Sequence, residues 1–351
     1  MCYLSFAFML ISDFDYNLPE ELIAQNPLEK RESSRMLLVG RAAKKFTDEQ
    51  FFNFPKFLKK GDVVVLNNTK VFPARLFGAS ETGARVEVFL VHETESQIWE
   101  TLARPAKRLK TGKKIFFGEN LSAEVLEKTR EGRLLVRFQT NRNFDEIIDE
   151  IGQTPLPPYI KRENETTDSD KNRYQTVFAK KRGAIAAPTA GLHFTAEILE
   201  DIKNLGADVA EITLHVGYGT FEPVRVLDLS EHQVMPERFE ISAETAEVLN
   251  RAKAENKRII AVGTTTTRAL ESSVCENKKF SAQNRYADLT ITPDYKFKAI
   301  NGLLTNFHLP KSSLLVLVST FAGYNLTIKA YKHAVESKYR FYSYGDCMLI
   351  I

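Results

Sequence analysis

Cysteine, net charge and long apolar runs are all scarce in this chain of 351 residues. The three cysteines, Cys2, Cys275 and Cys347, contain no C-x-x-C pair, and this pattern argues against a disulfide framework. We therefore expect reduced thiols in a cytoplasmic protein. The formal net charge is only +3, so any nucleic-acid binding has to rest on local patches. No apolar run is long enough for a transmembrane helix, and we expect no membrane contact.

The amino terminus, MCYLSFAFMLISDF, is apolar but lacks the parts of a secretory signal. No Lys or Arg precedes the apolar run, and no small-residue cleavage site follows it. We expect Met9 to be the natural start and residues 1–8 to be an upstream extension. A genuine extra strand is the alternative.

The composition supports a packed core, because 43% of the residues are hydrophobic and 26% are charged. The length suggests two domains or one large domain. Residues 13–60 are predicted to be mainly helical, and DVVVLN (62–67) is predicted to be a buried strand. Residues 73–153 contain short β-type segments between polar or Gly turns, a spacing typical of a small barrel or sandwich.

A Pro-rich break at 154–160 is followed by a polar stretch, 161–173, that we expect to be an exposed mobile loop. From residue 184, strands such as AIAA and RIIAV alternate with helical patterns, which favours a mostly parallel sheet covered by helices. The β-rich stretch then interrupts an α/β domain. The predicted domain segments are 9–72, 73–153 and 154–351, the middle one being the insertion.

Unusual residues lie at the ends of the predicted strands of the α/β region or in the loops beside them, and one group precedes the last apolar run. Ligands bind at the carboxyl ends of parallel strands, where helix N-termini offer free N–H groups. Three of the six histidines fall there, among Gly, Thr or Asn. The residues in these loops are Thr189, Gly191, His193 and Phe194; His215, Gly217, Gly219 and Thr220; Gly263, Thr264, Thr265, Thr266, Thr267, Arg268 and Glu271; and Asn306, His308 and Lys311.

These histidines fit proton transfer or hydrogen bonding to a ligand better than they fit other chemistry. Their spacing matches no metal site, and no G-x-S-x-G elbow suggests a catalytic triad. The Gly pair in GYGT lacks the third glycine of a dinucleotide site, and a tight turn explains it equally well. The run TTTTR is explained by a structural role at the start of a helix, but its hydroxyls also suit a ligand rich in hydroxyl or carboxylate groups. Arg268 would then pair with a carboxylate.

Two short basic stretches stand out against the balanced overall charge. RPAKRLKTGKK lies in the β-rich region, and AKKRG precedes the AIAA segment. Each is either a solvated face or a set of phosphate contacts to a structured RNA. The candidate tRNA-binding residues are Arg104, Lys107, Arg108, Lys110, Lys180, Lys181 and Arg182.

Several long segments carry a family resemblance: SDFDYNLPEELIAQNPLEKRESSRMLLV, GDVVVLNNTKVFPARLFG, YQTVFA, AAPTAGLHFT, LHVGYGTFEPVR, HQVMPERFEIS, VGTTTTRALES, GLLTNFHLPKSSLLVLVSTFAG and YRFYSYGDCMLI. From about residue 12 to the last residue, the chain resembles the S-adenosylmethionine:tRNA ribosyltransferase-isomerases of queuosine biosynthesis.

The resemblance implies a large α/β domain with a small inserted β-barrel. It also implies an enzyme that transfers and isomerises the ribosyl group of S-adenosylmethionine onto 7-aminomethyl-7-deazaguanine at the wobble position of tRNA. Epoxyqueuosine tRNA forms, and adenine and methionine leave. S-Adenosylmethionine is a co-substrate, no other cofactor and no metal is expected, and we expect a monomer.

On this resemblance we predict three catalytic residues, His193, His215 and His308. His193 and His215 suit the proton transfers, whereas Asn306 and His308 suit contacts to the adenine or the modified base. The predicted substrate-binding residues are Thr189, Gly191, Phe194, Gly217, Gly219, Thr220, Thr264, Thr265, Thr266, Arg268, Glu271 and Asn306.

The chain departs from the family pattern at few places. Residues 1–8 lie outside it, and the loop 161–173 varies in the family. Asn68 stands where the family often has Asp, which puts a role for that carboxylate in doubt. The alternatives are a tRNA-binding paralogue without catalysis and a hydrolase acting on a small nucleoside. The hydrolase would need an acid or metal set that the sequence does not offer.

Overall fold

A computed structural model describes residues 10–129, 132–162, 166–221, 224–275, 277 and 279–351. The strands are β1 Arg35–Gly40, β2 Lys45–Gln50, β3 Val63–Asn67, β4 Thr69–Val71, β5 Arg75–Ser80, β6 Arg85–Glu95, β7 Ile98–Arg104, β8 Lys114–Phe116, β9 Ser122–Lys128, β10 Leu134–Gln139, β11 Lys181–Ala184, β12 Asp208–Leu214, β13 Glu237–Ile241, β14 Ile259–Val262, β15 Gln283–Ala287, β16 Gly302–Asn306 and β17 Cys347–Ile350. The α-helices are α1 Phe144–Ile151, α2 Asp168–Arg173, α3 Ala196–Asn204, α4 Ala243–Ala254, α5 Thr264–Ser273, α6 Ser313–Ala322 and α7 Tyr324–Glu336.

A nine-stranded mixed sheet forms the centre of the α/β part, in the order β15-β13-β12-β3-β14-β16-β17-β1-β2. Four of the eight neighbouring pairs are parallel: β12 with β3, β3 with β14, β14 with β16, and β17 with β1. The α/β class is confirmed, but the sheet is mixed and not mostly parallel as predicted, and the parallel pairs are concentrated at its centre. Antiparallel pairs lie at both edges and between β16 and β17.

The β-rich stretch closes into a six-stranded antiparallel barrel in the order β10-β7-β6-β5-β8-β9, so a barrel and not a sandwich forms. Alternate residues of β6, Val86, Val88 and Leu90, point into its core, as a strand with period two requires. Ile147 and Ile148 of α1 pack on the same core. The inserted barrel is confirmed, whereas the exact domain boundaries stay a prediction.

The central strand β3 shows why the sheet needs cover on both faces. Val63 and Val65 belong to one hydrophobic cluster, while Val64 and Leu66 belong to another. Because successive side chains point to opposite faces, every residue of this strand is buried. The unbroken apolar run in the sequence is explained by burial of the strand on both faces of the sheet.

Three local predictions are wrong. Residues 13–60 are all described and form no α-helix; they contain short 3₁₀ turns and then β1 and β2. Strand β1 pairs with β17 near the end of the chain, and a partner so distant in sequence leaves no local signal. The stretch predicted as a mobile loop, 161–173, ends in α2, which Thr167 begins with a capping box.

The third correction concerns the AIAA segment, which is not a strand of the large sheet. The strand there is β11, which ends at Ala184 and pairs only with β4 in a two-stranded ribbon. Thr195 does cap α3, as the pattern predicts, because its side chain accepts a hydrogen bond from the N–H of Ile198. The loop between them contains a 3₁₀ turn, Thr189–His193.

No single helix in the described part of the chain is both long and apolar enough to cross a bilayer. Helices α6 and α7 reach that length and composition only as a pair, and they are bent by 117° at the break between them.

Candidate functional site

An uncharged cavity lies at the carboxyl ends of β14 and β16. It encloses about 590 Å³, counting the space open to solvent. No described residue that lines it is Asp, Glu, Lys or Arg. We call it the strand-end cavity. Its walls are Tyr159, Tyr174, Ala186, Ala187, Pro188, Thr189, Ala190, Val216, Gly263, Thr264, Thr265, Thr305, Asn306, Phe307, His308, Leu314, Tyr342 and Ser343.

Helix α5 begins at this cavity. Gly263 precedes it with φ +94°, a conformation that favours glycine, and its carbonyl accepts the first intrahelical bond from the N–H of Thr267. The hydroxyls of Thr266 and Thr267 bond back to the carbonyls of Val262 and Gly263. The N–H groups of the first turn have no carbonyl partner within the helix and suit an anionic or polar ligand. Thr264 and Thr265 line the cavity, whereas Thr266, which was predicted with them to bind substrate, does not.

Asn306 connects this cavity to His193. Its Nδ2 donates to the carbonyl oxygen of Tyr342 at 3.0 Å and lies 3.4 Å from Nε2 of His193. The amide donates, so Nε2 of His193 is the acceptor and Nδ1 carries the proton toward Oγ of Ser34 at 2.6 Å. Among the described groups, Oδ1 of Asn306 has no hydrogen-bond partner.

His193 itself does not line the strand-end cavity. It lies in a smaller neighbouring cavity together with Arg31 and Arg173. Burial lowers its pKa to about 4, so the imidazole is neutral at neutral pH. His193 therefore reaches the strand-end cavity only through Asn306.

His308 does line the strand-end cavity. Its Nε2 lies 2.9 Å from the hydroxyl of Thr305, and its backbone N–H donates to the phenol oxygen of Tyr331. The phenol of Tyr16 donates to its carbonyl oxygen. Burial lowers the pKa of His308 to about 3, and the ring is neutral.

A second, larger cleft separates the barrel from the sheet and encloses about 1280 Å³, counting open solvent. His215, Gly217 and Gly219 lie on its sheet side, and Trp99 lies on its barrel side. We call it the interdomain cleft. Val216, the residue after His215, lines both this cleft and the strand-end cavity, so the two spaces lie on either side of this residue.

The ring of His215 is held between two elements. Its Nδ1 lies 2.8 Å from the hydroxyl of Thr69, and Gly183 packs against the ring so closely that a Cβ there would be 2.7 Å from Nδ1. Burial lowers the pKa of His215, and the positive charges of Arg238 and Lys181 lower it further. Because His215 lines the interdomain cleft, its neutral imidazole can accept a proton from a group bound there.

Arg268 forms an ion pair within the protein and does not line the strand-end cavity. Its Nη1 lies 2.5 Å from Oε2 of Glu237, and both side chains are buried. Three more donors go to the carbonyl oxygens of Met235, Ala287 and Leu289, so four of the five N–H groups are used. The Glu237 carboxylate already neutralises the charge that was expected to pair with a substrate carboxylate.

Glu271 and Phe194 also have structural partners. The Glu271 carboxylate accepts from the N–H groups of Lys298, Ala299 and Ile300 and from the phenol of Tyr295, and so it fixes the loop before β16. Phe194 is fully buried in an aromatic cluster and lines neither cavity. Both side chains therefore make structural contacts and lie outside the two cavities.

The remaining predicted residues have mixed placements. Thr189 lines the strand-end cavity, whereas Gly191 packs against Phe178 and Thr176. The side chain of Thr220 lies outside the described part of the chain. Asn68 lies in neither cavity; its Nδ2 donates to Oε2 of Glu211 at 3.0 Å, so a carboxylate at this position would face another carboxylate.

The basic residues divide into two groups. Arg104, Lys107, Arg108 and Lys110 are exposed on the barrel, and within the described residues they make no ion pair. The other three are already paired: Lys180 with Glu211, Lys181 with Glu240, and Arg182 with Asp149. The barrel group is therefore the better candidate for phosphate contacts.

Sequence patterns missed the aromatic wall of the strand-end cavity. Tyr159 comes from the Pro-rich break, Tyr174 follows α2, and Tyr342 precedes β17, so no local motif unites them. Trp99, in the interdomain cleft, has an indole N–H without a partner among the described groups. Among the described residues no group of three His, Cys, Asp or Glu side chains is placed to hold a metal ion.

Comparisons with known proteins agree along the whole chain. A family model described as queuosine biosynthesis protein matches residues 11–350. S-Adenosylmethionine:tRNA ribosyltransferase-isomerase from Halothermothrix orenii is 48% identical over 345 residues, covering 98% of this chain and 100% of that protein. The protein of the same name from Staphylococcus haemolyticus is also 48% identical over 345 residues, with the same coverage.

A solved structure is similar as well. The crystal structure of S-adenosylmethionine tRNA ribosyltransferase from Thermotoga maritima is 35% identical and covers 97% of this chain and 100% of its own. The TM-score between the two structures is 0.55.

Proposed function

Since this chain belongs to the queuosine biosynthesis protein family and is an enzyme of that family, we propose that it modifies the wobble position of tRNA. The acceptor is 7-aminomethyl-7-deazaguanine. The enzyme transfers the ribosyl group of S-adenosylmethionine to it and isomerises that group, which gives epoxyqueuosine tRNA. Adenine and methionine are released.

The observation that carries this proposal is the meeting of two different spaces at Val216. The strand-end cavity is uncharged, and its lining of aromatic rings with a few hydroxyl, amide and imidazole groups is typical of a small-molecule site. The interdomain cleft is larger and opens between the barrel and the sheet, as a tRNA nucleotide requires. A ribosyl group passing from one ligand to the other has to cross this junction.

Proton transfer at the junction falls to His215. An amine that forms a new bond to carbon gives up a proton, and an isomerisation moves further protons. The neutral imidazole of His215 lies in the cleft beside Val216. His308 lines the donor side and is neutral as well. His193 acts through Asn306, whose orientation it helps to fix.

The tRNA would lie against the exposed basic residues of the barrel. Arg104 and Arg108 belong to that group. Phosphate contacts position a nucleic acid, whereas the base itself is recognised in the cleft. A monomer that acts in the cytoplasm and needs no cofactor besides its co-substrate remains our expectation.

The test is incubation with S-adenosylmethionine and a tRNA that carries the aminomethyl-deazaguanine, with release of adenine and methionine followed over time. The control is the same tRNA with an unmodified wobble guanosine, which should release neither. A folded sample that releases no adenine from the modified tRNA would contradict the proposal. Tight tRNA binding in that case would support a non-catalytic paralogue instead.

A further inference from the structure

Two neighbouring parallel strands bring a helix N-terminus and a buried amide together. Val262 of β14 is paired with Leu304 of β16, and the N–H of Gly263 donates to the carbonyl of Leu304 at 2.8 Å. Asn306, the last residue of β16, and Thr264, the first residue of α5, each lie two positions after this pair. Both residues line the strand-end cavity.

The helix supplies the donor half of a binding site. Thr264 and Thr265 are at the first turn of α5, and the N–H groups there have no intrahelical partner. No described residue lining the cavity carries a formal positive charge. An anion in this cavity would be stabilised by the helix N-terminus, and the two threonine hydroxyls could add hydrogen bonds.

Asn306 supplies the acceptor half. The residue is only 2% exposed. Its Nδ2 is committed to Tyr342 and His193, and this fixes the amide, because a flip would turn Oδ1 toward the Tyr342 carbonyl. Oδ1 is left without a partner among the described groups. A buried carbonyl oxygen without a donor is costly, so a ligand N–H is expected opposite it.

We propose that this pair of groups binds the amino-acid end of S-adenosylmethionine, with the α-carboxylate on the N-terminus of α5 and the α-ammonium on Oδ1 of Asn306. The proposal rests on the proposed function and adds the orientation of the donor. An α-amino acid carries an anion and a cationic N–H donor on one carbon, and the neighbouring donor and acceptor of this site match that arrangement. The aromatic rings of Tyr159 and Tyr174 are left to surround the rest of the molecule.

The experiment is a calorimetric titration with four ligands. They are S-adenosylmethionine, its decarboxylated form, its deaminated form, and 5′-methylthioadenosine, which lacks the whole amino-acid end. A tRNA with an unmodified wobble guanosine is present throughout, so that no turnover occurs. The protein variants are Asn306→Leu, which removes the acceptor, Asn306→Asp, which keeps it, and the control Asn301→Leu at the other end of β16.

We expect the unaltered protein to bind the decarboxylated and deaminated forms about 10- to 100-fold more weakly than S-adenosylmethionine, because each loses a charge-assisted hydrogen bond. Asn306→Leu should weaken binding of the two ligands that carry the ammonium by at least about tenfold. It should leave the deaminated form and methylthioadenosine nearly unchanged. Asn301→Leu should behave like the unaltered protein. Asn306→Asp should prefer S-adenosylmethionine over the deaminated form by a larger factor than the unaltered protein does. This variant tests the proposal if Asn306→Leu does not fold.

Two results would overturn the inference. One is equal affinity of the unaltered protein for all three S-adenosyl ligands. The other is a loss of methylthioadenosine binding in Asn306→Leu, which would mean that the amide contacts the adenine. The proposed reaction is tested separately: adenine release without this ligand discrimination removes the inference alone, and discrimination without adenine release removes the proposed reaction alone.

Discussion

Nδ1 of His215 lies 2.8 Å from the hydroxyl of Thr69, a residue 146 positions earlier in the chain. Thr69 begins β4 directly after the central strand β3, and His215 follows β12, the parallel neighbour of β3. The two side chains meet because adjacent parallel strands end at the same edge of the sheet. Thr69 is fully buried, so it fixes the orientation of a ring that is only partly buried itself.

Replacing His215 should damage turnover far more than stability. His215→Ala should lower kcat by about 10²- to 10⁴-fold, the usual contribution of a general acid or base. The melting temperature should change little, because the ring is partly exposed in the cleft. Thr69→Val should cause a smaller loss of kcat and should shift the midpoint of the pH–rate profile. Equal losses of kcat and stability in His215→Ala would indicate a structural role instead.

Gly183→Ala should reduce activity by displacing His215. The added methyl would lie 2.7 Å from Nδ1 and Cε1 of the ring, and the backbone there has φ +149°. Gly112→Ala is the matched control, since Gly112 also has a positive φ, +80°, but nothing lies within 4 Å of its Cβ position. Steady-state kinetics should show a large loss of kcat in the first variant only. Similar kinetics in the two variants would mean that the ring position is not critical.

Arg268→Met should destabilise the fold and leave KM for S-adenosylmethionine nearly unchanged. Removing one partner of a buried ion pair leaves the other charge without compensation and costs about 3–5 kcal/mol. Here the uncompensated charge is that of Glu237. Denaturant unfolding should show a smaller loss for Arg268→Met combined with Glu237→Gln than the sum of the single losses. A raised KM with normal stability would instead indicate that Arg268 binds the substrate.

The exposed basic group on the barrel should contribute to tRNA binding and not to donor binding. Replacing Arg104, Lys107, Arg108 and Lys110 with Gln should weaken tRNA binding and reduce its salt dependence, by about 0.7–0.9 in log–log slope for each phosphate that is no longer neutralised. Lys180→Gln with Lys181→Gln should have a smaller effect, because Glu211 and Glu240 already neutralise these lysines. Filter binding between about 50 and 200 mM salt, a range where such slopes are nearly linear, distinguishes the two sets.

Stability should fall as the pH drops below the pKa of an exposed histidine, about 6.5. The pKa values of His193 and His308 are lowered to about 4 and about 3 in the folded protein, so the unfolded chain binds protons that the folded chain does not. Each histidine should cost about 2 kcal/mol between pH 7 and pH 5. In His308→Gln this pH-dependent loss should be smaller by about that amount. Identical pH dependence of unfolding in the two proteins would contradict the burial of a neutral ring.

The local sequence pattern was sufficient to predict those elements whose signals lie within a few residues of one another. The β-branched run at 62–67 became the doubly buried β3, and Thr195 caps α3. The short β segments after residue 73 became the strands of the barrel. These predictions hold because burial periodicity and capping depend on neighbours in sequence.

The site was predicted only in part. Thr264, Asn306 and His308 meet in one cavity because they follow parallel strands, which sequence order already suggested. The segment around His193 was assigned to a strand end, but it follows the short ribbon strand β11 and turns toward a different cavity. Sequence order could not reveal that β11 leaves the large sheet.

The sequence by itself determined the α/β class, the inserted β-rich domain and the family, because burial patterns and long motifs lie in consecutive residues. Only the tertiary structure decided that β1 pairs with β17 and that Arg268 forms an ion pair with Glu237. It also decided that Val216 lines both the strand-end cavity and the interdomain cleft. These contacts depend on which hydrogen-bonding, charged and apolar groups from distant parts of the chain pair with one another once water is excluded. The residues of one local stretch do not specify that choice of partners.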